Sequence, residues 1–308
     1  MKIISLFSGA GGLDLGFEKA GHEIVFSNDI FHDAVKTYEK NFLVRPDQRD
    51  IKNIPSDEIP DADALIAGFP CQGFSVANRK RSARDPRNFL YKHIARVAKD
   101  KKIKIILLEN VKGLKGFNSG KEFRKIIKTF CDLGYTIKSQ VLNAADYGVP
   151  QKRKRLFILG IHETFDGKIS FPPKQKFWDP KTKLKIKKRK WQTIGAALKR
   201  FPEPDAYHKI QNHEGTKYKL RFNGHLGHRY INANEPAPTI TARGDEKGGV
   251  VIIHHPNNKR RLTVREAAAI QTFPDKFVFF GSKTSGYRQI ANSVPPKLSY
   301  EIAKEFPK

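Results

Sequence analysis

The sequence predicts an α/β fold: a doubly wound, mostly parallel sheet with a smaller basic domain inserted into it. Over roughly the first 160 residues, short Ile-, Leu- and Val-rich runs alternate with helix-like stretches, the pattern of a parallel sheet covered on both faces. Near Phe171 the chain turns basic and loses its periodicity. Regular patterning returns towards the carboxyl end, so the first domain resumes there.

Taken in order, Lys2–Phe7, Glu23–Ser27, Asp63–Ala67, Lys104–Leu108, Thr136–Leu142 and Arg155–Ile161 read as strands. Between them Leu13–Ala20, Phe31–Asn41, Phe89–Lys99 and Lys121–Leu133 read as helices. In the last of these Phe123, Ile126, Ile127 and Phe130 recur at i, i+3, i+4 and i+7, which makes one apolar stripe. From Phe171 to Glu235 there are 16 Lys/Arg against 5 Asp/Glu, together with Pro172, Pro173, Pro180, Pro202 and Pro204. Only Thr193–Arg200 reads as a short helix in that stretch, and Lys181–Lys190 is its densest charge run. Leu262–Thr272 and Lys297–Phe306 read as the final helices. No internal repeat is visible.

Composition narrows the function classes. The chain has 308 residues, and 58 Lys/Arg against 31 Asp/Glu leave a net charge of +27. Such an excess repels itself and draws polyanions, so nucleic acid leads the list of partners over a merely soluble basic protein. No apolar run reaches the ~18 residues needed to span a bilayer. The apolar start is broken early by glycines, Asp14 and Glu18, which argues against a signal peptide. Two cysteines, Cys71 and Cys131, make neither a disulfide scaffold nor a four-cysteine zinc site. The expected setting is intracellular, with reduced thiols.

Four clusters carry chemistry. Phe7, Gly9, Gly11 and Gly12 form a strand-to-helix turn that lets a ligand approach the backbone, with Asp29 closing the second strand about 20 residues on. Alone, this turn fits a dinucleotide as well as S-adenosylmethionine. Gly68, Pro70 and Cys71 follow the third strand, where a thiol acts as a nucleophile if nearby cations favour its thiolate. Cys131, inside an apolar helix, reads instead as a small core hydrophobe. Glu109 closes an apolar strand, a place where burial raises a carboxyl pKa and suits it to donate a proton. Gln151, Arg153 and Arg155 alternate with Lys152 and Lys154, which sends the two sets to opposite sides of an extended chain.

These motifs, joined by Ala291–Val294, occur in the order and spacing of the cytosine-C5 DNA methyltransferases, and the chain resembles that family over about 1–160 and 236–308. The resemblance implies a Rossmann-like, S-adenosyl-L-methionine-dependent enzyme of the bacterial restriction-modification type. Residues 1–175 and 285–308 would be the catalytic and cofactor-binding domain, and 176–284 the target-recognition domain and hinge. Cys71 would add to C6 of a flipped cytosine and Glu109 would hydrogen-bond N3 and the exocyclic amine. Arg155, with Arg153 nearby, would sit on the O2 side. Phe7, Gly9, Ala10, Gly11, Gly12, Asp29, Ile30, Asp50, Ile51, Pro70, Leu90, Asn292 and Val294 would line the cofactor pocket. Ile30 stands where an aromatic residue often stacks on the adenine, and Ala77 where a serine can fill the gap left by the flipped base.

For the DNA, Asn78–Asn88 holds five Lys/Arg against one Asp and resembles the family's loop that closes over the substrate. Arg79, Lys80, Arg81 and Arg84 are its expected contacts. Gly215–Tyr230 interleaves basic and aromatic residues, and Arg221, His225, His228 and Arg229 are expected either to read base edges or to hold phosphates. Arg243 lies in a segment that supports the recognition region in the family. The histidines lack the cysteine or acidic partners of a metal site, so no metal is expected. Double-stranded DNA is the expected partner of a monomeric, cytoplasmic, bacterial or phage enzyme, with a cognate restriction endonuclease as its functional counterpart. The competing readings are a tRNA-methylating relative, whose Cys-Phe-Thr segment is absent, a DNA-binding protein with a relic site, and a nicotinamide dehydrogenase.

Overall fold

The computed structural model describes residues 1–70, 86–182, 189–216, 220–224, 228–242, 250, 251 and 253–308. Strands β1 (Lys2–Leu6), β2 (Glu23–Asn28), β3 (Ala64–Ala67), β4 (Ile105–Val111), β5 (Tyr135–Asn143) and β6 (Lys154–His162) form one sheet in the order β2-β1-β3-β4-β6-β5. β1 pairs in parallel with β2 and β3, and β3 with β4. β6 runs antiparallel to both β4 and β5, so it alone is reversed. The expected mostly parallel sheet is present, with each of the six expected strands in it.

The strands alternate faces with period two, as extended backbone requires. Ile4, Leu6, Leu65, Ala67, Ile106 and Leu108 enter one apolar cluster, against α3 (Tyr91–Asp100) and α4 (Lys121–Cys131). Ile3, Ala64, Ile66, Ile105 and Leu107 enter the other, against α1 (Gly12–Lys19) and α8 (Pro296–Ala303). Because both faces are covered, β1 and β3 read as nearly unbroken apolar runs. α8 lies so close on α1 that a Cβ at Gly16 would sit 2.3 Å from Ser299. The Ser299 hydroxyl donates to the Leu13 carbonyl there, so the carboxyl-terminal helix completes the first layer.

A third cluster gathers α5 (Ile194–Leu198), α6 (Val264–Ile270) and α7 (Lys283–Asn292) around Ile231, Ala237, Ile240 and Ile253. Ala10 of the glycine turn also belongs to it. α2 (His32–Asn41) follows β2. α6 starts on a capping box in which Thr263 and Glu266 satisfy each other's backbone amides. α7 was not expected, because its sequence is polar and holds Gly286; Ser282 caps it, and Tyr287, Ile290 and Ala291 bury one face. The two-residue strands β7 (Phe177–Trp178), β8 (Arg189–Lys190), β9 (Thr241–Ala242) and β10 (Val250–Val251) are also new, being too short to leave a periodic signal. Among the described residues no helix is long and apolar enough to cross a membrane.

Candidate active site

The site forms where β1, β2, β3 and β4 end. After β1 the chain takes left-handed backbone at Phe7 (φ 55°), Gly9 (φ 56°) and Gly11 (φ 78°). A Cβ at Gly11 would strike the Phe42 ring at 2.4 Å, and one at Gly12 the Val294 carbonyl at 2.4 Å. At Gly9 it would meet nothing within 4 Å. The turn is therefore packed from below and open at Gly9. Asp29 braces it, one carboxylate oxygen accepting the Gly9 amide and the other the Phe31 amide, each at 2.8 Å. Burial raises the Asp29 pKa, and the two amide bonds pull against that shift.

The Asn28 side-chain amide donates to the Asp47 and Arg49 carbonyls at 2.8 Å each, which draws the segment carrying Asp50 and Ile51 against the end of β2. Ile51 is buried, whereas the Asp50 carboxylate is 37% exposed. Ile30 leaves 64% of its surface open beside Asp29. Leu90 and Phe7 pack on the first cluster, and Pro70 is half-buried. Val294 is buried with its carbonyl over Gly12, and Asn292 is exposed. An open glycine edge, an exposed apolar wall at Ile30 and a reachable carboxylate at Asp50 are the groups an adenosine needs for close approach, ring packing and ribose hydroxyls. The residues fit S-adenosylmethionine.

Glu109 projects from β4 beside this turn. It is buried, and its Oε1 lies 3.1 Å from Arg155 Nε. On its other side a Cβ placed on Gly68 would be 3.6 Å from Glu109 Oε2. Burial raises the Glu109 pKa, while the charges of Arg155 and Arg153 oppose the rise. Arg155 reaches it because Val111 and Arg155 are cross-strand partners in the β4–β6 ladder. Asn110 anchors the chain ahead of Cys71, donating to the Phe69 carbonyl at 3.2 Å while its Oδ1 accepts the Val111 amide. The sequence reading does not single out Asn110, although it directly follows Glu109. Cys71 itself, with Arg79, Lys80, Arg81, Arg84, His225 and Arg243, lies outside the described residues.

Arg153 is held by the backbone. It is fully buried, and its guanidinium donates to the carbonyls of Ile240 (3.0 Å), Ala291 (2.6 Å) and Ser293 (2.9 Å). Gln151 donates to Gln271 at 2.9 Å and accepts the Ile240 amide at 3.1 Å, and Gln271 donates in turn to the Ile290 and Ser293 carbonyls. Arg153 and Gln151 thus clamp together three distant stretches, near residues 151, 240 and 292. A guanidinium held by three backbone carbonyls has most of its donors committed, and two of those carbonyls, of Ala291 and Ser293, flank Asn292. The alternation behind the original expectation holds: Gln151 and Arg153 are buried and Lys154 is exposed.

In the basic segment Arg221 and Arg229 are exposed, with Arg229 Nε donating to the Gly224 carbonyl at 2.8 Å. His228 is half-buried, its ring 6.2 Å from that of buried His254. The outward groups that the sequence reading missed are aromatic. Phe222 and Tyr230 stack at 4.2 Å with an interplanar angle of 18°, and Tyr230 is 75% exposed. Asn258 fixes the base of this pair, accepting the Ile231 amide at 3.0 Å and donating to the Ile231 carbonyl at 3.2 Å. No cluster of three or more metal-ligating side chains occurs among the described residues.

A glycine turn, an acid at the end of the next strand and a buried carboxyl across the same sheet edge place the chain among Rossmann-like proteins that bind a nucleoside-containing cofactor. The chain belongs to the C-5 cytosine-specific DNA methylase family, whose model matches residues 1–308. It is 36% identical to the Type II methyltransferase M.MthTI of Methanothermobacter thermautotrophicus, over 100% of this chain and 97% of that protein. It is 37% identical to the Type II methyltransferase M.NgoFVII of Neisseria gonorrhoeae, over 99% of this chain and 86% of that protein. Among solved structures, a candidate DNA modification methyltransferase encoded within an Escherichia coli prophage superposes with a TM-score of 0.78 at 26% identity, covering 99% of this chain and 98% of that one. The protein is an S-adenosylmethionine-dependent DNA (cytosine-5-)-methyltransferase, of a family that works through a covalent cysteine adduct.

Proposed function

We propose that the chain methylates C5 of one cytosine within a short duplex DNA site, with Cys71 as nucleophile, Glu109 as proton donor and Arg155 as the group that orients Glu109. The observation that carries the reading is the buried Glu109 carboxyl, held 3.1 Å from Arg155 Nε and against Gly68, three residues before Cys71. Cytosine C5 is a poor nucleophile until something adds to C6, and inside a stacked duplex C6 is out of reach, so the base must leave the helix. The Cys71 thiolate forms a bond to C6 while Glu109 gives its proton to N3, which keeps charge from building on the ring. Bound S-adenosylmethionine supplies an electrophilic methyl group for the C5 carbanion equivalent. A base then takes the C5 proton as the Cys71 thiolate leaves C6, and N3 returns its proton to the Glu109 carboxylate, which restores the aromatic ring and the starting enzyme.

Phe7, Gly9, Ala10, Gly11, Gly12, Asp29, Ile30, Asp50, Ile51, Pro70, Leu90, Asn292 and Val294 are the proposed cofactor-lining set. Residues 176–284 are the proposed recognition domain, with Arg221, Arg229 and the Phe222–Tyr230 pair as its outward groups. His228 supports them from behind. Since the relatives are Type II methyltransferases, we assign the chain, acting as a cytoplasmic monomer, to protection of DNA against a cognate endonuclease. The deciding experiment incubates wild type and Cys71→Ala with methyl-labelled S-adenosylmethionine and unmethylated duplex DNA, then digests the product to nucleosides. Label in 5-methylcytosine that disappears in the variant is expected. Label on another base, or on RNA alone, refutes the assignment.

A further inference from the structure

Beneath the glycine turn lies a carboxyl group that the methyl-transfer chemistry leaves unused. Asp14, in the first turn of α1, is wholly buried. Its Oδ1 accepts the Ser5 hydroxyl of β1 at 2.8 Å, and its Oδ2 accepts the Tyr38 phenol of α2 at 2.7 Å. The Ser27 side chain of β2 lies beside the Tyr38 hydroxyl. The Ser27 hydroxyl donates to Ser8 Oγ at 2.8 Å, and the Ser8 hydroxyl to the Asn28 carbonyl at 3.3 Å. Polar side chains therefore line up from β1 through Asp14, Tyr38 and Ser27 to the turn, ending one residue short of Asp29, with the Tyr38 proton directed to Asp14 and the Ser27 proton to Ser8. Tyr38 stacks on Phe42 at 4.0 Å, and these two rings fill the space below Gly11.

This arrangement suits a carboxylate, which accepts from both hydroxyls; a protonated acid would have to reverse one of the two bonds. Yet no ion pair neutralises Asp14 among the described residues. The ionisable groups acting on it are Tyr38 from α2 and Glu18 from its own helix, with Ser5 and Tyr38 supplying hydrogen bonds. Burial consequently lifts its pKa to about 7. An uncompensated charge in a low-dielectric interior is costly, and a cation brought close to it recovers part of that cost. S-adenosylmethionine is such a cation, with a sulfonium centre that its product lacks.

We infer that Asp14 is a positioning residue for the cofactor, a buried counter-charge beneath the glycine turn whose ionised form the bound sulfonium favours. The inference rests on the cofactor reading above and adds a residue outside the pocket lining. By linkage, binding draws the proton off Asp14. Affinity for S-adenosylmethionine then weakens as pH falls through the Asp14 pKa of the free protein, by at most about ten-fold per pH unit, and levels off below the lower pKa of the bound state.

The test is titration calorimetry of the full chain with S-adenosylmethionine and with S-adenosylhomocysteine, from about pH 6 to 8.5, a window that brackets the Asp14 pKa. Both ligands carry the same α-amino group, so its titration cancels between them. Wild type should show the steep slope with S-adenosylmethionine and a shallower one with S-adenosylhomocysteine. Asp14→Asn should flatten the first, and Tyr38→Phe, which removes one donor to the carboxylate, should move the slope to higher pH. A wild-type affinity independent of pH, equal slopes for the two ligands, or an Asp14→Asn variant that keeps the wild-type slope would each overturn the inference. The comparison of the two ligands on wild type stands even where a variant fails to fold. Failure of wild type to bind S-adenosylmethionine at any pH would instead sink the cofactor reading itself.

Discussion

Replacing Arg153 with methionine separates its two possible roles. In the fold its guanidinium donates to the carbonyls of Ile240, Ala291 and Ser293 at 3.0, 2.6 and 2.9 Å, wholly out of solvent. Methionine fills much of the volume and supplies no donor. The Ser293 carbonyl keeps its bond from Gln271 at 3.2 Å. The other two carbonyls lose a charged donor, and a buried acceptor left without one costs about 1–3 kcal/mol. Relief from burying the guanidinium offsets part of the sum, so the expected net loss is about 3 kcal/mol. For a chain of 308 residues, with an unfolding entropy of about 2.1 cal/mol/K per residue, that corresponds to a fall in Tm of roughly 5 °C. Thermal unfolding followed by circular dichroism reads the shift. Methyl transfer at 20 °C, where the variant is still folded, reads the chemistry. With the clamp gone, Asn292 and Val294 loosen, so KM for S-adenosylmethionine should rise while kcat falls less than about ten-fold, or ~1.4 kcal/mol. An unchanged Tm with kcat lower by two orders of magnitude or more would refute this account and return Arg153 to direct contact with the base.

Two further outcomes follow from the site. Burial raises the Glu109 carboxyl above its ordinary range against the pull of Arg155 and Arg153. A raised acid keeps its proton further up the pH scale, so a rate that needs that proton falls as pH rises through the folded-state pKa. Glu109→Gln should lower kcat by about 10²–10⁴-fold and remove that alkaline decline from the kcat profile; a variant with the wild-type profile would exclude Glu109 as the donor. In the proposed recognition domain, Tyr230→Ala should weaken binding to a duplex containing the methylation site by about ten-fold, with little change in the salt slope, since an aromatic contact releases no counterions. Arg229→Gln should flatten that slope instead, and equal salt behaviour of the two variants would count against the division of roles.

Much of the catalytic half was legible in the sequence because its signals are local. Strands buried on both faces must be short apolar runs, which is why all six were found. The glycine turn, Glu109 and the 151–155 alternation each announce themselves within a few residues. Local reading also misled. The resemblance places Arg153 near Arg155 on the O2 side, and its carbonyl partners at 240, 291 and 293 are too distant in sequence to be inferred. α7 was missed because its apolar face exists only where Tyr287, Ile290 and Ala291 meet a third cluster built from other segments.

The recognition segment shows the boundary most clearly. Its interleaved basic and aromatic residues predict contact with a polyanion, since net charge is a sum over composition and needs no fold. Which side chains face outward depends on what packs behind them. His254 is buried with its ring 4.7 Å from that of Phe222, and Asn258 pins Ile231, so the stacked rings of Phe222 and Tyr230 are presented while His228 is half-withdrawn. Residue types, order and periodicity thus determined the chemistry available to this protein and the sheet that carries it. The pairing of Glu109 with Arg155, the clamp around Arg153 and the buried placement of Asp14 were decided by tertiary structure alone, because burial and long-range hydrogen bonds exist only once the chain has folded onto itself.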